Sequence, residues 1–308
     1  MSLKILFMGT PEFAVPILKS INVSKHDLLS IYTRPPKKKS RGHHVTNSPV
    51  HQCANELKIP VRCPKNLNQN TEYDYIKNLN PNVVVVVAYG ELIPKNILEL
   101  TNITFINIHA SVLPKWRGAA PIQRAIMNMD KETGISIMKI INKLDAGPVM
   151  KTHKIKISKE CTYETLSKKI SHIASSLIIE CLEILENKKE RFIPQDNSKA
   201  TYAKKIDKSE AKINWDNKAS EIVARINAFH PNPGAWFELN GSRIKILKAK
   251  EVKKLGSPGE LLDEEFTIAC SENSVKILEL KKEGKKRMNA SDFLLGNRID
   301  IGTIINGS

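Results

Sequence analysis

The sequence predicts an α/β fold with a mostly parallel sheet in its first part, followed by a small β-barrel. Three observations lead to this prediction. Apolar runs of strand length alternate with helical segments up to about residue 190. The aliphatic run at residues 83–88, mostly valine, is apolar on both faces, which is typical of a strand inside a parallel sheet. After residue 230, short β-like runs follow one another closely, as they do in small barrels.

The chain opens with a nearly continuous apolar strand at residues 3–8, followed by Gly9, Thr10 and Pro11. Thr10 is expected to cap the first helix, with Pro11 at its first position. A second strand at 28–33 completes a β-α-β unit. The GxGxxG fingerprint is missing from it, so no dinucleotide is indicated. Apolar periodicity predicts further helices at 49–57, 71–79, 94–100, 121–127, 161–187 and 219–229, and strands at 61–63, 83–88, 104–108, 134–140 and 149–157.

The periodic pattern dissolves near residue 190 into a stretch rich in polar residues and proline, which predicts a linker. We therefore expect a first domain at 1–189, a linker at 190–207 and a second domain at 208–308. Within the second domain, Asn240-Gly241 is a strong hairpin signal. Short strands are predicted there at 235–239, 243–247, 260–262, 266–269 and 275–280.

The 308 residues are 41% hydrophobic and 26% charged, which is ordinary for a globular protein. The longest aliphatic run is far too short to span a bilayer, and the N-terminus lacks the layout of a signal peptide. The five cysteines are scattered and show no metal-ligand spacing. We therefore expect a cytoplasmic protein without a metal or a membrane partner. We also expect it to act as a monomer, although nothing in the composition determines the oligomeric state.

The net charge of +16 favours a polyanionic partner. Residues 1–200 hold +12 of it and residues 201–308 only +4, and no acidic residue occurs between Asp27 and Glu56. A basic loop from Arg34 to about residue 47 lies in that window. Its prolines predict an irregular conformation, and its cations could bind the phosphates of a nucleic acid. A solvated lysine cluster without a role is the alternative.

Asn107 and His109 lie two positions apart at the end of the predicted strand 104–108. Side chains at i and i+2 of a strand point to the same face, so both are expected to face one spot. A loop rich in glycine and proline follows, and open α/β sheets bind ligands at such strand ends. The turn at 142–148 adds the carboxylate of Asp145. A structural histidine and an Asx-turn aspartate are the alternatives for His109 and Asp145.

An amide, an imidazole and a carboxylate that converge at strand ends suit the transfer of an acyl group to an amine. Asn107 and a protonated His109 would stabilise the oxyanion. Asp145 would keep the imidazole charged and receive the proton of the amine. No Ser-His or Cys-His arrangement for a covalent intermediate is visible, so direct transfer is predicted.

The segment at residues 111–123, SVLPKWRGAAPIQ, resembles the signature of the folate-dependent formyltransferase family, as do Asn107-x-His109 and Leu144-Asp145-x-Gly147. The segments GTPEFA at 9–14 and VVVAYG at 85–90, with the basic loop, are similar to the branch of that family that acts on methionyl-initiator tRNA. The resemblance covers essentially the whole chain. The sequence differs from the family pattern at Val112 and Ala110, where leucine and glycine are usual. These changes concern the detailed position of the folate rather than activity.

The resemblance implies a Rossmann-like N-terminal domain, an OB-like C-terminal domain that binds tRNA, and 10-formyltetrahydrofolate as the formyl donor. It implies catalytic roles for Asn107, His109 and Asp145. It implies that the folate site is lined by Ser111, Val112, Leu113 and Pro114. It also implies that the basic loop wedges into the acceptor stem of methionyl-initiator tRNA, with Arg41 as the key contact. The basic residues of that loop are Arg34, Lys37, Lys38, Lys39 and Arg41.

Three other functions compete with this interpretation. A formyltransferase for a small amine, such as glycinamide ribonucleotide or an amino sugar, would share the three polar residues but would need neither the second domain nor the basic loop. A non-catalytic RNA-binding protein on a degenerate scaffold predicts the loss of at least one of the three, and all are present. A nicotinamide-dependent reductase is weakened by the missing glycine fingerprint.

Overall fold

The structure is a computed structural model that describes residues 2–39 and 44–305, and for residues 37–39, 44 and 45 it describes the backbone alone. The helices are α1 (Val15–Asn22), α2 (Pro49–Glu56), α3 (Asn70–Leu79), α4 (Lys95–Leu98), α5 (Pro121–Met127), α6 (Tyr163–Glu186), α7 (Ala219–Phe229) and α8 (Ala290–Leu295). The strands are β1 (Lys4–Gly9), β2 (Asp27–Tyr32), β3 (Lys37–Lys39), β4 (His44–Thr46), β5 (Val61–Arg62), β6 (Val83–Val87), β7 (Thr104–His109), β8 (Arg117–Gly118), β9 (Glu132–Lys139), β10 (Val149–Lys156), β11 (Tyr202–Ala203), β12 (Trp236–Leu239), β13 (Ser242–Val252), β14 (Thr267–Ala269), β15 (Ser274–Lys282) and β16 (Met288–Asn289).

The chain divides into two compact units. The first comprises Met1–Gly118, Thr133–Ile155 and Ser167–Tyr202, and the second comprises Ala119–Glu132, Lys156–Leu166 and Ala203–Ser308. The first unit contains the strand end that carries Asn107 and His109, and it also contains Asp145.

The main sheet of the first unit has the strand order β10-β9-β7-β6-β1-β2-β5. The pairs from β7 to β5 are parallel, and β9 runs antiparallel to β7. All five valines of β6 are buried at the centre of the sheet, because helices cover both faces of a parallel sheet. The predicted Rossmann-like, mostly parallel sheet is thus confirmed, and β10 lies at one of its edges.

The start of the first helix differs from the prediction. The Thr10 hydroxyl donates a hydrogen bond to the carbonyl of Tyr89 (2.8 Å) beyond the end of β6, so it does not cap a helix. Pro11 precedes a short 3₁₀ turn at Glu12–Ala14, and α1 begins only at Val15. The expected cap is therefore wrong, because the hydroxyl joins two neighbouring strand ends of the sheet instead.

The basic loop also differs from the prediction, because part of it is an antiparallel hairpin. Strand β3 pairs with β4, with Lys37 opposite Thr46 and Lys39 opposite His44. Pro35 and Pro36 precede the first strand, so the missing proline N–H groups remove no donor from this pair. The expectation of an irregular conformation is wrong for these two segments. Residues 40–43, and with them Arg41, lie outside the described residues.

The second unit is built on an antiparallel sheet in the order β12-β13-β15-β14, with β16 paired to β15, and this sheet curls into a half-barrel. Its core is aromatic: Phe266 stacks on Phe293 (ring centroids 5.7 Å apart) and meets Phe237 edge-on (6.2 Å). Asn240 and Gly241, with φ of 49° and 68°, form the tight turn between β12 and β13. The predicted hairpin and the predicted small OB-like β fold are confirmed.

Candidate active site

Strand β7 positions Asn107 and His109. Ile106 and Ile108 alternate with them and are buried in the sheet. His109 is 5% exposed, whereas Asn107 is half-buried. Within residues 2–39 and 44–305, no hydrogen bond is formed by the Asn107 side chain. Its amide is therefore available to bind a polar group of a substrate.

Both ring nitrogens of His109 face oxygen acceptors. Nε2 lies 2.8 Å from the carbonyl oxygen of Trp116, and because a carbonyl only accepts, Nε2 must carry the hydrogen of this bond. Nδ1 lies 3.6 Å from Oδ2 of Asp145, which is the distance of an ion pair and too long for a hydrogen bond. The ring is therefore held at one end, and its Nδ1 end faces a carboxylate.

Asp145 is brought to His109 by the turn that follows β9. Its Oδ2 accepts a hydrogen bond from the N–H of Gly118 (2.8 Å), so the carboxylate joins two loops and is not confined to an Asx turn of its own. Asp145 has a φ of 45°, a backbone conformation that a residue other than glycine adopts only when its surroundings hold it there. The structure thus brings together His109 and Asp145, which lie 36 positions apart in the sequence.

Gly147 allows this turn to lie close to the sheet. A Cβ at this position would lie 1.8 Å from the carbonyl oxygen of Lys139, at the end of β9. Its φ is outside the positive range, so close approach of the backbone, rather than conformational freedom, is the reason that glycine is required here.

The loop from Ser111 to Pro114 follows directly on β7 and is held against β9 by two hydrogen bonds. Ser136 of β9 donates from its hydroxyl to the carbonyl of Ser111 (2.8 Å) and accepts from the N–H of Leu113 (3.0 Å). Ser111 and Leu113 are buried, whereas Val112 and Pro114 are half-buried. Two apolar side chains are therefore left partly open to a ligand.

Arg117 and Gln195 belong to the site but were missed from the sequence. The Arg117 guanidinium, only 1% exposed, donates to Oε1 of Gln195, and Gln195 in turn donates to the carbonyls of Asp145 and Gly147. Arg117 lies inside the segment that carries the resemblance, so its position was a usable signal. Gln195 lies in the stretch predicted to be a linker, where nothing marked it.

Of the five basic residues predicted to bind RNA, only Arg34 has a side chain that the structure describes. The Arg34 guanidinium forms an ion pair with Glu91 (2.6 Å), and it lies beside Gly90. The backbone of Lys37, Lys38 and Lys39 lies in β3, and Arg41 is outside the described residues.

A row of basic and aromatic side chains crosses the sheet of the second unit. Trp236, Lys245 and Lys281 are opposite one another on β12, β13 and β15. The Arg243 guanidinium lies over the Trp236 ring, 3.9 Å from its centroid. Burial is the main reason that the pKa of Lys245 is lowered, and the positive charges of Lys281 and Arg243 add to this effect.

Among the residues that the structure describes, no group of three or more histidine, cysteine, aspartate or glutamate side chains is placed to hold a metal ion. In the same part of the chain, none of the helices combines the length and the apolar character needed to traverse a bilayer.

The fold and the site define an enzyme of the formyl transferase class. The sequence profile of the formyl transferase family matches residues 3–182, and that of the formyl transferase C-terminal domain matches residues 205–298. The prediction of an enzyme that transfers formyl groups is confirmed.

Curated relatives narrow the class. A methionyl-tRNA formyltransferase of Pelagibacter ubique is 49% identical over 307 residues, covering 99% of both chains. Proteins of the same name from Chelativorans sp. and Parvibaculum lavamentivorans are 42% and 43% identical, covering 98% and 97% of this chain and 99% of each relative. The chain belongs to the methionyl-tRNA formyltransferase family.

Solved structures share the fold at lower identity. A methionyl-tRNA formyltransferase from Clostridium thermocellum has a TM-score of 0.57 and 19% identity, covering 81% of this chain and 94% of that one. WlaRD, a sugar 3N-formyl transferase solved with dTDP and 5-N-formyl-THF, has a TM-score of 0.68 and 20% identity, covering 93% and 100%. HypX from Aquifex aeolicus, in complex with tetrahydrofolic acid, has a TM-score of 0.68 and 15% identity, covering 98% and 51%.

Proposed function

We propose that this chain transfers a formyl group from 10-formyltetrahydrofolate to the free amino group of methionyl-initiator tRNA. The observation that carries the proposal is the convergence of His109 and Asp145 beside the open amide of Asn107, in a chain 49% identical to a methionyl-tRNA formyltransferase. The donor supplies an electrophilic formyl carbon when it is bound. The residues present fit it, because the half-buried apolar side chains of Val112 and Pro114 lie in the loop that follows Asn107 and His109.

Asn107 and His109 are assigned to the formyl oxygen. As the amine attacks the carbonyl carbon, negative charge grows on this oxygen, and N–H donors placed around it lower the barrier. The amide of Asn107 supplies one donor. Nδ1 of His109 supplies the other, because Nε2 is already bonded to the carbonyl of Trp116.

Asp145 is assigned to the proton of the amine. Its Oδ2 accepts the N–H of Gly118, which leaves Oδ1 for the amine or for a bridging water. Its negative charge lies 3.6 Å from Nδ1 of His109, the ring nitrogen assigned to the oxyanion. The new carbon–nitrogen bond thus forms while the proton of the amine passes to the carboxylate. Collapse of the oxyanion would then break the bond between the formyl carbon and the donor nitrogen, which would take up this proton and leave as tetrahydrofolate.

RNA contacts are assigned to both parts of the chain. We keep residues 1–189 as the catalytic domain, 190–207 as a linker and 208–308 as the RNA-binding domain. The folate is assigned to the loop of Ser111, Val112, Leu113 and Pro114. The acceptor stem of the tRNA is assigned to the side chains of the basic loop. The row of Trp236, Lys245 and Lys281 supports a further contact between the second unit and the phosphates and bases of the tRNA.

We also propose that the chain acts as a monomer in the cytoplasm. Its five cysteines are all free, as in proteins of a reducing compartment. Sedimentation of the purified protein at about twice the chain mass of 34.6 kDa would contradict the monomer.

The experiment that tests the function is a formylation assay with 10-formyltetrahydrofolate. Methionyl-initiator tRNA, methionyl-elongator tRNA, glycinamide ribonucleotide and an amino sugar nucleotide are offered in parallel. Formylation of the initiator tRNA alone, with loss of activity in His109→Ala, is the expected result. Formylation of a small amine instead would agree with the catalytic roles of Asn107, His109 and Asp145. It would overturn the assignment of tRNA as the substrate and the RNA-binding role of the basic loop.

A further inference from the structure

The tripeptide Trp116-Arg117-Gly118 contacts both members of the histidine–aspartate pair. The Trp116 carbonyl accepts from Nε2 of His109 (2.8 Å), and the Gly118 N–H donates to Oδ2 of Asp145 (2.8 Å). The relative placement of the imidazole and the carboxylate therefore depends on this tripeptide and on whatever fixes its position against the turn that carries Asp145.

Gln195 connects the tripeptide to that turn. Its amide nitrogen donates to the carbonyls of Asp145 (2.9 Å) and Gly147 (2.6 Å). Its amide oxygen accepts two hydrogen bonds from the Arg117 side chain, from Nε (3.0 Å) and Nη2 (2.7 Å). The Gln195 side chain thus connects the backbone of the Asp145 turn to the side chain of Arg117, which directly follows Trp116 in the chain.

The direction of the Gln195 amide is fixed by its partners. A guanidinium can only donate and a carbonyl can only accept, so turning the amide over would place donor against donor and acceptor against acceptor. The buried Arg117 makes this orientation compulsory, because a buried cation without acceptors is costly.

The turn needs such a restraint. Asp145 has a φ of 45°, a conformation that persists in a residue other than glycine only where the surroundings enforce it. Two of the hydrogen bonds on this turn come from a single side chain, that of Gln195. The same part of the chain also fastens the tripeptide, since Thr201 accepts the N–H groups of Trp116 and Arg117 through its hydroxyl and its carbonyl.

We propose that Gln195 is a positioning residue for formyl transfer, which acts through Asp145 by holding its turn against Arg117. The proposal rests on the proposed function of the His109–Asp145 pair. It assigns to Gln195 no contact with either substrate. Loss of its amide donor lets the carboxylate move away from His109 and from the N–H of Gly118, which lowers turnover more than binding.

Two substitutions separate positioning from folding. Gln195→Glu keeps an oxygen for Arg117 and gives the buried cation a carboxylate partner, but it replaces the donor that faces the two carbonyls. Gln195→Met removes both functions at similar volume. Asn197→Ala is the matched control, because exposed Asn197 also accepts from Nη2 of Arg117 (2.9 Å), whereas its hydrogen bonds among the described residues do not reach Asp145 or Gly147.

We expect kcat for methionyl-initiator tRNA to fall roughly tenfold or more in both Gln195 variants, because two hydrogen bonds that hold the turn are removed. The KM for the tRNA should stay within about twofold, since only positioning of the reacting groups has changed. Asn197→Ala should retain wild-type kcat within about twofold. In an Asp145→Asn background, the effect of Gln195→Glu should shrink to less than about twofold, because a residue that acts through Asp145 has nothing left to position.

Amide hydrogen exchange provides a readout that does not depend on the reaction. The Gly118 amide should exchange faster, by about tenfold, in Gln195→Glu than in the wild-type protein or in Asn197→Ala. An unchanged Gly118 amide, a wild-type kcat, or an effect of equal size in the Asp145→Asn background would each overturn the positioning role. If the wild-type protein fails to formylate any tRNA, the proposed function is overturned, and the exchange of Gly118 still decides whether Gln195 holds the turn.

Discussion

Gly147 offers a direct test of how closely the Asp145 turn must approach the sheet. Alanine at this position places its Cβ 1.8 Å from the carbonyl oxygen of Lys139, whereas ordinary contact begins at 3.4 Å. The turn must therefore retreat by about 1.6 Å from β9, against atoms of the backbone that cannot rotate away. The hydrogen bond from the Lys139 N–H to the Pro148 carbonyl (2.9 Å) lies in the same place and is disturbed as well.

We expect Gly147→Ala to lower the free energy of unfolding by about 1–3 kcal/mol, the range typical of overpacked sites. Activity should fall further than stability suggests. A displacement of about 1 Å in a catalytic group costs on the order of a hundredfold in rate, and Asp145 is two residues away. Urea denaturation and the initial rate of tRNA formylation at saturating donor measure the two effects.

Gly296→Ala is the matched control for this substitution. Gly296 also has a negative φ (−94°), and a Cβ there would meet its nearest neighbour, the Phe293 carbonyl oxygen, at 3.9 Å. We expect wild-type activity and an unfolding free energy within about 0.5 kcal/mol of wild type. Wild-type stability and wild-type rate in Gly147→Ala would refute the argument that the turn is held in place by this close approach.

Three further predictions concern charge. Asp145→Asn should lower kcat roughly 30-fold or more, because an amide cannot supply the negative charge that faces His109; equal kcat in a pre-steady-state formylation assay would contradict this. Hydrogen bonding from Arg62 lowers the pKa of Glu72, so this carboxylate stabilises the fold at neutral pH and loses that contribution as the pH falls through its lowered pKa. The stability difference between wild type and Glu72→Gln should accordingly be larger at pH 7 than at pH 3 in urea titrations, and a difference that grows toward acid would disprove the assignment. Replacing Lys37, Lys38 and Lys39 by glutamine should weaken tRNA binding and reduce the slope of log Kd against log salt by roughly 0.7–0.9 for each phosphate that the protein no longer neutralises, as measured by fluorescence titration.

The strands and helices of the main sheet followed closely from hydrophobic patterning. The five valines of β6 could belong only to a strand covered on both faces, and β6 is central. Asn240-Gly241 could be recognised as a hairpin because few dipeptides accept positive φ at two successive positions. Thr10 could not be placed correctly, because its partner, the carbonyl of Tyr89, is 79 positions away in the sequence.

The conformation of the basic loop also depends on a contact between separate segments, although these segments lie closer together in the sequence. Pro35 and Pro36 signalled a break in regular structure, but strand β3 begins directly after them, at Lys37, and pairs with β4. A two-stranded pairing depends on the register between two segments, and composition reports each segment alone.

The sequence by itself identified three of the polar residues of the candidate site, Asn107, His109 and Asp145, but not Arg117 and Gln195. Alternation along β7 put Asn107 and His109 on one face, and the turn with Gly147 and Pro148 supplied Asp145, because both features depend on neighbours in the chain. Only the tertiary structure decided how these groups are held. The bond from Gly118 to Asp145, the anchor of His109 on Trp116, and the bridge from Gln195 to Arg117 join segments 7 to 78 positions apart. Such bonds form only after the sheet has brought strand ends together, so no local pattern in the sequence records them.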